Sequence, residues 1–248
     1  MDIHTPKHPV HGWREFLKEV GIIVLGVLLA LGAEQTVEWL HWRQQVQITD
    51  DALQQEIRRD LRWAYERRVY EQCQNGRIAQ LRDKLLQPAS RWTTDSTPVD
   101  SRGKFFSPTA MPRVYQAPLR PYETEVWDVA LAGTALIHMP RARAALYAKL
   151  YNTVALLRGD QAREEELGPR LAPLGFDRTL SAPERTAFLA TLGELADLNQ
   201  VMAGAGGQFI DMASSGGDGM RLTRATADTV VAHAGHCAQA VAIPLARE

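Results

Sequence analysis

The sequence has only two cysteines in 248 residues and no surplus of basic side chains, with Lys+Arg at 28 against Asp+Glu at 29. Without a basic excess there is no electrostatic footing for displacing counterions from a phosphate backbone, so no nucleic-acid partner is expected. Two cysteines are too few for a disulfide-dense scaffold, and 18 glycines with 13 prolines are too few for a collagenous or low-complexity chain. Sustained alternation of apolar and polar residues is missing, which leaves no signal for a half-buried sheet. Also lacking are a G-x-S-x-G elbow, an H-E-x-x-H pair and a phosphate loop. Gly204-Ala205-Gly206-Gly207 has no preceding strand and no Gly-Lys-Ser/Thr ending. No catalytic residue, cofactor or metal is therefore expected.

What is present begins with Val20–Ala33, VGIIVLGVLLALGA, fourteen residues without a charge. As a helix they cover about 21 Å, short of a hydrocarbon core of about 30 Å. The flanks supply the difference. Trp13 and Phe16 precede the run, and Val37, Trp39, Leu40 and Trp42 follow it. Trp13 to Trp39 spans roughly 39 Å of helix, close to the separation of the aromatic belts of a bilayer. Trp13, Trp39 and Trp42 are thus the expected interfacial anchors, and membrane lipid the expected surroundings of residues 13–40.

Two other readings fit the run. It has the length of a signal-peptide core, with Ala30-Leu31-Gly32 as a small-x-small cleavage site, but Glu15 and Glu19 interrupt the basic region before it. A buried soluble helix is the other, and it is disfavoured because the run is apolar on every face where most soluble helices keep a polar one. Lys7, Arg14 and Lys18 precede it, whereas only Arg43 follows closely. The positive-inside rule then sets residues 1–12 in the cytoplasm and the larger part across the membrane, in the periplasm of a Gram-negative cell. Gly26-x-x-x-Ala30 is a small-x-x-x-small pair at which two such helices could approach, although Gly and Ala are also common in spans generally.

Between Val37 and Leu86 there is no proline and one glycine, Gly76. Leu53, Ile57, Leu61, Ala64, Tyr65, Ile78, Leu81 and Leu85 recur at helical spacing, predicting one long helix over 41–87, with Asn75-Gly76 a place where it could kink. Its Glu56, Arg58, Arg59, Asp60, Arg62, Glu66, Arg67, Arg68 and Glu71 read as a solvated face laced with local ion pairs. Residues 88–121 hold six prolines and little periodicity, so a loop is expected, pinned to the body by Phe105, Phe106 and Tyr115. Helical patterns return over 122–248. One face carries Val126, Trp127, Ala130 and Leu131, with Gly133 as its stop. A second stripe holds Leu146, Leu150, Tyr151, Val154 and Leu157, and Glu164-Glu165-Glu166 read as an exposed, solubilising helix end. Ser181-x-x-Glu184 has capping-box form and leads into Phe188, Leu192, Leu195 and Leu198. The Gly- and Ser-rich stretch from Ala203 to Gly219 is expected to be loop, with room for a short helical turn at Gln208–Ala213, and a last helix is expected from about Leu222 to Ala242.

Cys73 and Cys237 fall on the first and last of these helices. In an oxidising compartment they could bridge, stapling the end of the chain to the membrane-proximal helix; the alternative is two buried thiols. His233, His236 and Cys237 lie within little more than a turn, but consecutive His236 and Cys237 point apart and no carboxylate completes a site. His4, His8 and His11 sit in a short Pro-containing tail.

The opening HGWREFLKEVGIIVLGVLLALGAEQTVEWLHWR resembles the start of a set of uncharacterised proteobacterial single-pass inner-membrane proteins, which carry an F-L-x-E-V-x-I-I-V-L-G-V-L-x-A-L helix and a domain of unknown function. The stretch EVWDVALAGTALIHMPRARAALYAKLYNTV, within residues 123–154, is similar to a block those proteins carry after a proline-rich middle. The resemblance implies a bacterial inner-membrane protein with an exported helical domain, and implies no activity. Together these readings predict an all-α protein whose transmembrane helix continues into a long helix packed in a periplasmic bundle. Its expected role is structural or accessory, with a protein partner or a second copy. A small-ligand sensor and a hydrolase with an unfamiliar site are the competing functions.

Overall fold

A computed structural model describes residues 12–88, 91–94, 114–115, 117–238 and 241–247. The architecture is all-α, in two units, 1–49 and 50–248. The expected tail at 1–12 lies almost wholly outside the described residues, as do most of the proline-rich segment and its Phe105 and Phe106.

The first unit is the amino-terminal part of α1 (Trp13–Leu86), an unbroken helix that also supplies the long helix of the second unit and passes through Gly76 without interruption. Absence of proline over the whole span lets the backbone ladder continue. Every described side chain from Phe16 to Leu40 is exposed. It is the one described helix long and apolar enough to cross a membrane, and none of its apolar window is buried. Gly26 and Ala30 lie on this exposed stretch, with nothing near Gly26. Trp13 stacks on Phe16 at 5.9 Å, and the Arg43 guanidinium lies 5.3 Å from the Trp39 ring.

In the second unit, α1 is covered by α2 (Glu125–Ala132), α3 (Ala135–His138), α4 (Arg141–Leu167), α5 (Ala182–Ser215) and α6 (Arg224–Ala234). Leu53, Ile57, Leu61, Ala64, Ile78, Leu81 and Leu85 are buried as their spacing predicts. So are Leu150, Tyr151, Val154 and Leu157 of α4 and Phe188, Leu192 and Leu195 of α5. At the Leu85 end, Leu167, Leu171 and Leu174 join the core through a 3₁₀ turn over Gly168–Gly175. Trp92 closes that end, donating its indole N–H to the Leu174 carbonyl at 2.7 Å. Two-residue strands β1 (Arg91–Trp92) and β2 (Arg178–Thr179) pair antiparallel beside it, too short to leave an alternation signal.

α5 begins with the expected capping box: Ser181 accepts the Glu184 N–H, and the Glu184 side chain returns to the Ser181 N–H at 2.8 Å. It then runs through to Ser215, correcting the loop expected over 203–219 for all but residues 216–219. The small residues there are packing residues. A Cβ on Gly206 would lie 3.4 Å from the Ala64 carbonyl and 3.7 Å from the Ala64 Cβ, so glycine lets α5 and α1 meet closely. The turn that follows needs glycine for another reason, since Gly217 has φ +106°. The last helix also differs from expectation: α6 stops at Ala234, and a 3₁₀ turn over Gly235–Cys237 leads into an extended tail. The Ala246 N–H donates to the Leu222 carbonyl at 2.9 Å, tying that tail down.

Candidate functional site

The chemistry of this molecule is concentrated on one stripe of α1. Leu53, Ile57, Asp60, Ala64, Arg67, Glu71, Gln74, Ile78, Leu81 and Leu85 follow alternating spacings of four and three, and all but half-buried Glu71 are buried. The expected solvated charged face is corrected for Glu56, Asp60, Glu66 and Arg67, whereas Arg59 and Arg62 are exposed as expected. Glu56 and Asp60 are 0% exposed, and Glu66 and Arg67 are buried with them. Their partners come from segments distant in sequence, which is why local spacing reads them as exterior.

The segment leading into α2 descends α1 contact by contact. Arg120 grips Glu66 with two bonds, Nε to Oε2 at 2.5 Å and Nη2 to Oε1 at 2.6 Å. Three residues on, the Glu123 N–H donates to Asp60 Oδ1 at 2.9 Å, and the Glu123 carboxylate accepts from Arg59 Nε at 2.5 Å. Next, the Val126 and Trp127 N–H groups donate to Glu56 at 2.8 and 3.2 Å. These are unpaired amides of the first turn of α2, so a carboxylate from another helix caps it, where its own N-cap Thr124 makes no side-chain cap bond. Tyr151 donates its hydroxyl to the same Glu56 at 2.5 Å, and its ring stacks on Trp127 at 4.8 Å. Lowest on α1, Arg143 of α4 pairs with Asp50 at 2.7 Å and Tyr147 donates to it at 2.8 Å.

A second cluster lies across the helices. Arg67 forks onto Glu164 at 2.6 and 2.8 Å and donates to Asn199 Oδ1 at 3.0 Å, while Tyr115 donates to Glu164 at 2.7 Å. Glu164 is therefore an interior counter-charge, which corrects the solubilising reading of that residue; Glu165 and Glu166 are exposed. Tyr115 pins its segment as expected.

Burial is the main influence on several of these groups. It pushes the Asp60 carboxyl up to about 8, reinforced by the neighbouring Glu56 and Glu123 charges and opposed by the Glu123 N–H and by Arg59. Asp60 Oδ2 has no hydrogen-bond partner. Tyr151 is pushed up by burial and by its bond to Glu56. Asp50 is held below the usual carboxylate range: its partial burial works upward, but Arg143, Tyr147 and Gln54 together outweigh it.

Glu56, Glu123 and Glu125 each bring an oxygen within 4.8 Å of the others, a spacing that could hold a cation. Protein donors already occupy them: two amides and a phenol on Glu56, Arg59 on Glu123, and the Thr124 N–H on Glu125 at 3.1 Å. Asp60 has a pKa suited to proton transfer, yet its carboxyl is sealed from solvent with no nucleophile bonded to it. A groove of about 330 Å³ elsewhere is apolar, lined by Ile78, Leu86, Leu189, Leu192, Gly193 and Ala196, with Arg82 at its edge.

Cys73 and Cys237 form a disulfide, with Cα atoms 5.2 Å apart. The neighbouring chain follows α1, Tyr70 donating to the His233 carbonyl and Tyr65 to the Val241 carbonyl, both at 3.3 Å. The His233 ring bonds the Thr229 carbonyl of its own helix at 2.6 Å, and the His236 side chain lies outside the described ones. Sequence reasoning singled out this cysteine pair and missed the α1 ladder. The missed signal was Asp60, Arg67 and Gln74 recurring every seven residues inside an apolar stripe. No protein-family model, curated protein or solved structure matches this chain.

Proposed function

We propose that this protein is a bitopic inner-membrane protein, its amino terminus cytoplasmic, whose helical domain stands in the periplasm as a structural or accessory component assembled with a protein partner or a second copy. The observation that carries the anchor is the exposed, uncharged Val20–Ala33 run, which in water would leave on the order of 1–2 kcal/mol per large aliphatic side chain unsatisfied. Lipid removes that cost. The anchored bacterial proteins that the opening segment resembles agree with this reading, as does the Cys73–Cys237 bridge, which suits an oxidising compartment. An accessory role is supported by the way the buried charges are spent: Glu56, Glu66, Arg67 and Glu164 hold segments together. Gly26 and Ala30 offer one seam for a second copy.

Carbonate extraction and carboxy-terminal reporter fusions test the anchor and its direction. The intact chain should stay with the membrane, and an alkaline phosphatase fusion should be active. Recovery of the intact chain in the soluble extract overturns the reading. Crosslinking in intact membranes tests assembly: a discrete higher-mass species is expected, and a monomer alone counts against the role.

A further inference from the structure

Val129–Ile137, VALAGTALI, is nine residues without a charge, carried by α2 and α3. Three of its four large side chains are turned outward: Val129 is 73% exposed, Leu131 58% and Ile137 78%, with Leu136 half-buried. That corrects Leu131, which the spacing places on the inner face. Ala130 is the residue of this stretch that is buried, while Trp127, just before it, turns inward onto Tyr151. The outward face is aliphatic apart from exposed Thr134. Protein-protein hot spots are built from Trp, Tyr and Arg, which the exposed part of this stretch lacks, whereas outward aliphatic side chains are what an acyl-chain boundary accepts.

The position of the segment in the fold supplies the occupant. Its two ends are tied to α1 at Glu56, through the Val126 and Trp127 amides, and at Asp50, through Arg143. Asp50 is the first residue of the second unit. The segment is thus held at the end of the bundle where the chain arrives from the apolar stretch. Asp50 follows Trp42 by eight positions, about 12 Å along the helix. Charge is graded in the same sense. Glu125 and Asp128 lie at the Glu56 end, and exposed Arg141 lies at the Asp50 end, where a lipid phosphate would meet it.

From this we infer that the aliphatic face of Val129, Leu131 and Ile137 seats on the lipid surface into which the amino-terminal part of α1 inserts. The inference rests on the membrane reading above, and its test separates the two. The full chain is reconstituted in vesicles of phosphatidylethanolamine and phosphatidylglycerol with a spin label at one introduced thiol, the native cysteines being bridged. Labels at Ile23→Cys, Ile137→Cys and Glu166→Cys are compared for collision with oxygen and with a water-soluble nickel chelate. All three positions are exposed, so none disturbs the core. Ile137 should shift to oxygen-favoured collisions as Ile23 does, with Glu166 remaining chelate-favoured. An aqueous Ile137 beside a lipid-buried Ile23 overturns the docking and leaves the span standing; an aqueous Ile23 overturns the span itself. Spin–spin broadening at Ile137 that disappears on dilution with unlabelled protein assigns the face to a second copy and likewise overturns the proposal.

Discussion

Replacing Asp60 with Asn should stabilise the protein at neutral pH and remove a specific part of its pH dependence. The Asp60 carboxyl is buried between Glu56 and Glu123, with one oxygen accepting the Glu123 N–H and the other without a partner. An Asn carbonyl keeps that bond, and its amide group offers donors toward the two neighbouring carboxylates. In the folded protein the carboxyl titrates at about 8, against 3.8 when unperturbed. The native state therefore holds its proton where the unfolded state has released it, so this group lowers stability as pH rises from about 4 to about 8. Each unit of separation is worth about 1.4 kcal/mol, giving a loss of about 4 kcal/mol by pH 7 and about 6 kcal/mol above pH 8. Urea unfolding of the detergent-solubilised chain, followed by tryptophan fluorescence between about pH 5 and pH 9, reads this out. The stability difference between Asp60→Asn and wild type should grow in favour of the variant by about 1.4 kcal/mol per pH unit until about pH 8 and then level off. A difference that is flat with pH would show that Asp60 is ionised in the folded state, and a variant still less stable above about pH 8 would show that the Asn amide is not accommodated there; either result refutes the reasoning.

Breaking the buried pair through Arg67→Met or Glu164→Leu alone should cost about 3–5 kcal/mol by leaving one unpaired interior charge, whereas the double variant should recover much of that loss; a double-mutant cycle in urea checks it, with additive losses as the contrary result. Gly206→Val should cost about 1–3 kcal/mol because its side chain meets Ala64. Gly204→Ala, in open space on the same helix, should gain up to about 1 kcal/mol, so opposite shifts in melting temperature are expected from residues two apart. Reduction, or Cys73→Ser with Cys237→Ser, should lower stability by about 5 kcal/mol for a bridge closing 164 residues. Proteolysed fragments should also separate on a gel only when reductant is present.

Much of the helical framework was legible from spacing. The Leu53, Ile57, Leu61 and Leu81 stripe, the Ser181 cap and the Gly133 stop follow from local rules, since a helix repeats every 3.6 residues whatever lies across from it. Glycine at 204, 206 and 207 was misread as loop because its helix propensity is low, and the packing of α5, at Gly206 against Ala64, overrides it. Leu131 was misplaced because α2 is only eight residues long, and its orientation comes from Glu56 gripping its first turn. The polar ladder was the largest gap. Asp60 and Arg67 sat in register with the apolar stripe, but a charge with a local opposite neighbour is normally a surface charge, and nothing local announces Glu123 or Glu164.

By itself, the sequence determined most of the helical segments, the one stretch whose side chains are apolar on every face, and the pair of cysteines able to join the long first helix to the end of the chain. These are properties of short windows, set by backbone geometry and by the preference of each side chain for water. Only the tertiary structure decided that Glu56, Asp60, Arg67 and Glu164 are interior, and that Val129, Leu131 and Ile137 are exterior. Burial of a charge depends on a partner arriving from far along the chain, and exposure of an aliphatic residue depends on the face that partner leaves uncovered.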